Sequence, residues 1–117
     1  MTDEAIEQEI KDKGLTAPRI TPERIKEVIG KIEFHVFPDS QLTVCCITLE
    51  NGFNVTGESA CASPENFDAE IGRKISQRNA EDKIWALEGY LLKQDLYVDS
   101  LPEEEMGDSA VSKEQTT

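Results

Sequence analysis

The chain has little of what a metal or redox centre needs. Its 117 residues include one histidine and three cysteines, Cys45, Cys46 and Cys61, with no C-x-x-C spacing. An odd, unspaced set argues against a disulfide framework. Cys45 and Cys46 are neighbours on an expected strand, so their side chains leave on opposite faces and do not share a metal. All three read as small buried thiols in a reducing compartment. The sequence shows no Gly-rich phosphate loop, no Ser, His and Asp arrangement and no metal-ligand cluster. No apolar run approaches membrane-spanning length, and the acidic N-terminus has no signal core. The expectation is a cytoplasmic, non-catalytic protein with no cofactor and no metal.

Positive charge is also scarce. Twelve Lys and Arg stand against 24 Asp and Glu, for a net charge of −12. Such a field repels duplex nucleic acid and anionic membranes. It leaves room for a small anionic ligand in a local basic pocket. The apolar fraction, 38%, is low for a globular chain and fits one domain with polar ends. A core this small also favours oligomerisation.

What is present divides into three parts. Residues 1–19 read as an acidic arm or frayed helix, with Thr2 as a possible cap and Gly14 as a possible stop. Residues 20–97 read as the single globular domain, and 98–117 as a disordered acidic tail. Within the domain, "ITPERIKEVIGKI" predicts a helix: Thr21 caps it, Pro22 takes the first position and Gly30 can end it. "IEFHVF" and "LTVCCITLE" are β-branched and aromatic, hence strands. His35 falls on the face shared by Glu33 and Phe37 and reads as a surface or packed strand residue. "ENGFNV" is a hairpin turn. A three-residue loop pairs Ile47 with Val55 and Leu49 with Phe53, placing all four on one face, so Gly52 is expected to be left-handed. The fold class is α+β: a short N-terminal helix, a small antiparallel β-sheet with a hairpin, then a long C-terminal helix or helical pair.

That last helix is expected to start at Ser63 and Pro64 and to run to about Asp95. At about 100° per residue, Phe67, Ile71 and Ile75 form one stripe, rejoined by Trp85, Leu92 and Leu96. Ala80, Ile84, Leu87 and Leu91 form another. Two stripes indicate burial on two sides, or else a break near Asn79 or Gly89. Arg78 falls on the first stripe and Arg73 on the second. An arginine in an apolar stripe needs an anion or an exit to water. Either an acid of the protein pairs with it, or its fork is kept for a phosphate. "TGESACASPEN", ahead of the helix, offers backbone N–H groups to an anion, or is simply a loop with a capped helix.

"NGFNVTGESACASPENFDAEIGRKI" followed by "NAEDKIWALEGYLL", with "ITPE" upstream, resembles a family of small phage and prophage proteins. The family is named for the gene-49 product of a coliphage and the gene-66 product of a Shigella phage, and the likeness runs from about Ile20 to Leu96. The family name implies no activity. In overall plan the chain also looks like phage proteins that counter the Thoeris defence by sequestering cyclic ADP-ribose-type signals. That second resemblance implies a homo-oligomer that captures a nucleotide-derived signal without cleaving it. In such a site Arg73 and Arg78 are expected to hold phosphates, Asn79 and Asn66 to bond ribose or base, and Phe53 or Trp85 to offer an aromatic face. The alternative is a non-catalytic protein–protein interaction module acting on a host or phage protein.

Overall fold

The computed structural model describes residues 2–103. Helix α1 covers Asp3–Asp12, α2 covers Pro22–Val28, and α3 covers Ala69–Asp99. Between α2 and α3 lie three strands, β1 Ile29–Val36, β2 Leu42–Leu49 and β3 Asn54–Ala60, in an antiparallel sheet of order β1-β2-β3. The fold is α+β, as the alternation of periods predicts.

Local chemistry explains the helix starts. The Thr2 hydroxyl accepts from the Ala5 N–H at 3.0 Å, and the Thr21 hydroxyl accepts from Arg24 N–H at 3.2 Å. Gly14 follows α1 with φ +69°. α1 is therefore a capped helix, and it is tied down at Glu7, which is buried and bonds the Arg19 guanidinium at 2.7 Å. Gly30 does not end α2. The chain enters β1 at Ile29, and Gly30 sits at a bulge where the register with β2 shifts between Ile29 and Lys31. A Cβ there would stand 2.9 Å from the Thr48 carbonyl oxygen, so the bulge needs glycine for lack of space.

The β2–β3 hairpin has the expected three-residue loop. Gly52 N–H donates to Leu49 O and Leu49 N–H to Phe53 O, each at 2.8 Å, and Gly52 has φ +92°. Ile47 pairs with Val55. Ile47, Leu49 and Val55 are buried, but Phe53 is 55% exposed. The register was legible and the exposure of Phe53 was not, because α2 meets the loop at Glu50 rather than at Phe53.

α3 begins later than the sequence indicates. Ser63 makes no side-chain capping bond, and Pro64–Asn66 forms only a 3-10 turn. The α-helix starts after Asp68, whose carboxylate accepts from the Ile71 N–H at 3.0 Å. It then runs unbroken through Asn79 and Gly89 to Asp99, a length of about 46 Å. A helical pair is thereby ruled out. The tail reading for residues 104–117 falls outside the described residues.

α3 lies across β3 and β2, and β1 lies beyond it, with Ile29 and Ile32 half-buried against the core and Phe34 and Val36 exposed. Its buried residues are Gly72, Ser76, Ala80, Ile84 and Glu88, a row with i, i+4 spacing. The row opens with small residues, which lets two backbones meet. A Cβ on Gly57 of β3 would run into Ser76 O and Ala80 N, and one on Gly72 would stand 2.8 Å from the Thr43 hydroxyl. Ile84 then joins Ile25, Val28, Cys45, Ile47, Leu49, Val55 and Ala80 in the core. Of the expected stripes, Ala80 and Ile84 are buried, whereas Leu91, Ile71 and Ile75 are exposed.

Candidate functional site

The six residues singled out as ligand contacts do not converge. Arg73 and Arg78 are both exposed on α3. They stand five positions apart on an unbroken helix, which separates them by about 140° around the axis and about 7.5 Å along it. Two guanidinium forks so placed do not close on one phosphate from a single chain. Among the described residues neither has a carboxylate within 4 Å, so neither is held by the protein's own acids. The expectation that apolar packing traps them is overturned. Arg78 has its exit to water, because Ile71 and Ile75 beside it are 54% and 45% exposed.

Asn79 is already engaged. Its amide Nδ2 donates to the Glu58 carbonyl at 2.8 Å and ties α3 to β3. Asn66 lies in the 3-10 turn, exposed, on the rim of a depression of about 100 Å³ with Gln41, Ser59, Phe67 and Ile71. That volume is below what pockets for drug-sized ligands offer, about 300–1,000 Å³. Phe53 sits at the other end of β3, over a shallow surface shared with Val55, Lys83 and Leu87. Trp85 is half-buried and lines a third place, an open cleft of about 410 Å³ among Ile6, Ile10, Ile20 and Pro22. Asp3, Glu7 and Asp82 also line that cleft. Their charge disfavours a phosphate there. The backbone before the helix, proposed as an anion nest, leads into a 3-10 turn rather than directly into α3.

Arginine paired with a buried carboxylate does occur, at two positions the sequence did not flag, Arg19 with Glu7 and Arg24 with Glu88. Arg24 Nε donates to Glu88 Oε1 at 2.9 Å, and the same guanidinium stands 3.6 Å from Glu27 and 3.8 Å from Glu50. Glu88 is buried on α3. The hydrogen bond to Glu88, with the three negative charges, raises the Arg24 pKa above its ordinary value, against a smaller opposing cost of desolvation. This cluster joins α2, the hairpin loop and α3, and it fixes α2 on the helix. No short-range pattern links positions 24 and 88, so nothing local could have announced it.

Cys45 is fully buried on the helix side of β2, whereas Cys46 is half-buried on the other side near the Asn54 amide, 3.8 Å from its Sγ. Burial pushes the Cys45 thiol up to about 11, with the Cys46 and Glu81 charges adding to it. A thiol so placed stays protonated and unreactive at neutral pH. His35 is exposed and meets Phe37 edge-on, ring centroids 4.6 Å apart. Among the described residues no group of three His, Cys, Asp or Glu is placed to hold a metal ion. No described helix is long and apolar enough to cross a membrane.

What the surface does offer is apolar area at two places on α3. Ile71 and Ile75 are exposed near its start, and Tyr90, Leu91, Leu96 and Tyr97 near its end. The helix is about 46 Å long, against about 27 Å for an eight-residue strand, so its C-terminal end overhangs the sheet.

No curated protein and no solved structure matches the chain. A family model does, over residues 20–96, which is the whole stretch from the approach to α2 through most of α3. On that match the chain belongs to the Phage protein (N4 Gp49/phage Sf6 gene 66) family.

Proposed function

We propose that this phage-family protein is a non-catalytic binding module that engages a host or phage protein through the outer side of α3. The observation that carries this reading is the large apolar side chains left in water near both ends of an unbroken, capped helix. Exposed apolar area of this kind marks interaction surfaces. An overhanging helix presents it without rearrangement.

One observation favours a second reading, the capture of a nucleotide-derived immune signal of the cyclic ADP-ribose or cyclic oligonucleotide type. Among the described residues no carboxylate lies within 4 Å of Arg73 or Arg78, and Arg78 lies among exposed isoleucines. A guanidinium on an apolar surface is a good phosphate anchor once water is excluded. Since one chain does not close around it, this reading requires a second copy to complete the site.

A thermal-shift panel separates the two. The protein-binding reading expects no shift with cyclic ADP-ribose isomers or cyclic oligonucleotides. It also expects Ile75→Asp, but not Arg78→Ala, to abolish binding to an identified partner. A saturable shift with one nucleotide, lost in Arg78→Ala and with unchanged ligand recovered after denaturation, overturns it in favour of capture. Recovery of altered ligand would overturn both.

A further inference from the structure

β1 is an edge strand with two unusual properties. Its helix-side residues Ile32, Phe34 and Val36 continue the buried row of β2, pairing with Ile47, Cys45 and Thr43. Ile32 is half-buried against the core, but Phe34 and Val36 are exposed. Among the described residues the outer edge of β1 is also free. Phe37 N–H donates to Leu42 O at 3.1 Å, so the odd-numbered residues of β1 bond β2. By alternation, Ile32, Phe34 and Val36 turn both N–H and C=O outward. The opposite edge of the sheet is not equivalent. There Asn79 of α3 occupies the Glu58 carbonyl. A long apolar edge left open is a template for another strand.

We propose that the occupant is a second copy of this chain, joined β1 to β1 in antiparallel fashion about a two-fold axis through Phe34. Side-chain complementarity selects both the occupant and the register. With the axis at Phe34, Ile32 faces the second copy's Val36, and Phe34 faces its counterpart. Each of these pairs exchanges both N–H···O bonds. On the other face, Glu33 stands opposite the second copy's His35, a carboxylate acceptor against an imidazole donor, and this occurs twice by symmetry. Lys31 stands opposite the second copy's Phe37, cation against ring.

Neighbouring registers are worse for stated reasons. An axis at Glu33 sets two carboxylates face to face. An axis at His35 opposes imidazole to imidazole and brings Pro38, which has no N–H, against Ile32. An axis at Ile32 runs the pairing into the bulge at Gly30. The stretch 31–37 is thus bounded by a bulge on one side and a proline on the other. The product is a continuous sheet of both copies, with the two bare apolar strips side by side between the two α3 helices. This assembly uses a different surface from the outer side of α3, so it does not depend on the protein-binding reading.

Solution mass tests it. The full chain is expected to be a dimer. Phe34→Pro removes an outward N–H that the monomer does not use and suits an edge position. Phe34→Lys places charge on the axis. Both are expected to give monomers with unchanged far-UV circular dichroism. A monomeric parent chain, or a dimer that both variants leave intact, overturns the proposal. Where a variant fails to fold, oxidation of Phe34→Cys in a Cys45→Ala background, which removes the thiol that pairs with position 34 within one chain, gives an independent answer. A covalent dimer mapped by mass spectrometry to a 34–34 link supports the pairing, and failure to form that link overturns it.

Discussion

The two sides of α3 are made from opposite materials. The side against the sheet begins with Gly72, Ser76 and Ala80, residues with almost no hydrophobic signal, and all are buried. Left in water are Ile71 and Ile75 near the start of the helix and Leu91 and Leu96 near its end. Ordinary amphipathic logic, large apolar residues inward, would orient the helix the wrong way. Close approach decides instead. With Gly57 in β3 and Gly72 on the helix, the two backbones pack together, and dispersion contacts replace side-chain bulk. The large residues are then left for something other than the chain's own core.

The largest effect should come from breaking the inner contact. Gly57→Ala pushes a methyl group into the α3 backbone, where no flexible side chain can yield. We expect a loss of about 3 kcal/mol or outright failure to fold, read by urea denaturation. Arg24→Ala should come next. It strands the Glu88 carboxylate, but the guanidinium is 43% exposed, so the roughly 3–5 kcal/mol of a fully buried pair is reduced to about 1–2 kcal/mol. The same denaturation curve checks it. On the outer side, Ile75→Ser should change stability by no more than about 0.5 kcal/mol. A loss as large as that of Arg24→Ala would mean the outer side is part of the fold, and the contrast between the two sides would fail.

The effect that vanishes at neutral pH concerns Cys45, which lines the inner contact. Its folded pKa, about 11, lies above the unfolded value near 9.0. The unfolded chain therefore releases this proton first. The stability from keeping the thiol neutral is complete below pH 9 and is lost as pH rises from 9 towards 11. Measured against Cys45→Ala, the parent chain should lose stability across that window and show no relative slope at pH 7–8. A parallel pair of curves through pH 11 would show that water reaches the thiol.

Much of this fold could be read locally. Thr21 with Pro22 marks a helix start because both act within one turn. Gly52 marks the hairpin because only a left-handed residue keeps Ile47 and Val55 on one face. The errors have a common origin. Ser63-Pro64 has the composition of a helix cap, but Asp68 captures the first N–H groups of α3 instead. Gly30 looks like a stop and serves as a bulge, because the space beside Thr48 requires it. The candidate site was the least legible. Asn66, Phe53 and Trp85 fall in three separate depressions, and Asn79 is spent on Glu58. Sequence spacing orders residues along one helix and says nothing of what stands opposite.

By itself, then, the sequence determined the kind and order of the elements, the hairpin register and the family. These depend on interactions within a few residues or on a linear pattern. Only the tertiary structure decided which side of α3 is buried, that Arg19 and Arg24 rather than Arg73 or Arg78 meet buried acids, and that Phe34 and Val36 of β1 stand exposed. Each of those depends on the fit of two surfaces distant along the chain, and a fit made by glycine leaves no hydrophobic signal to read.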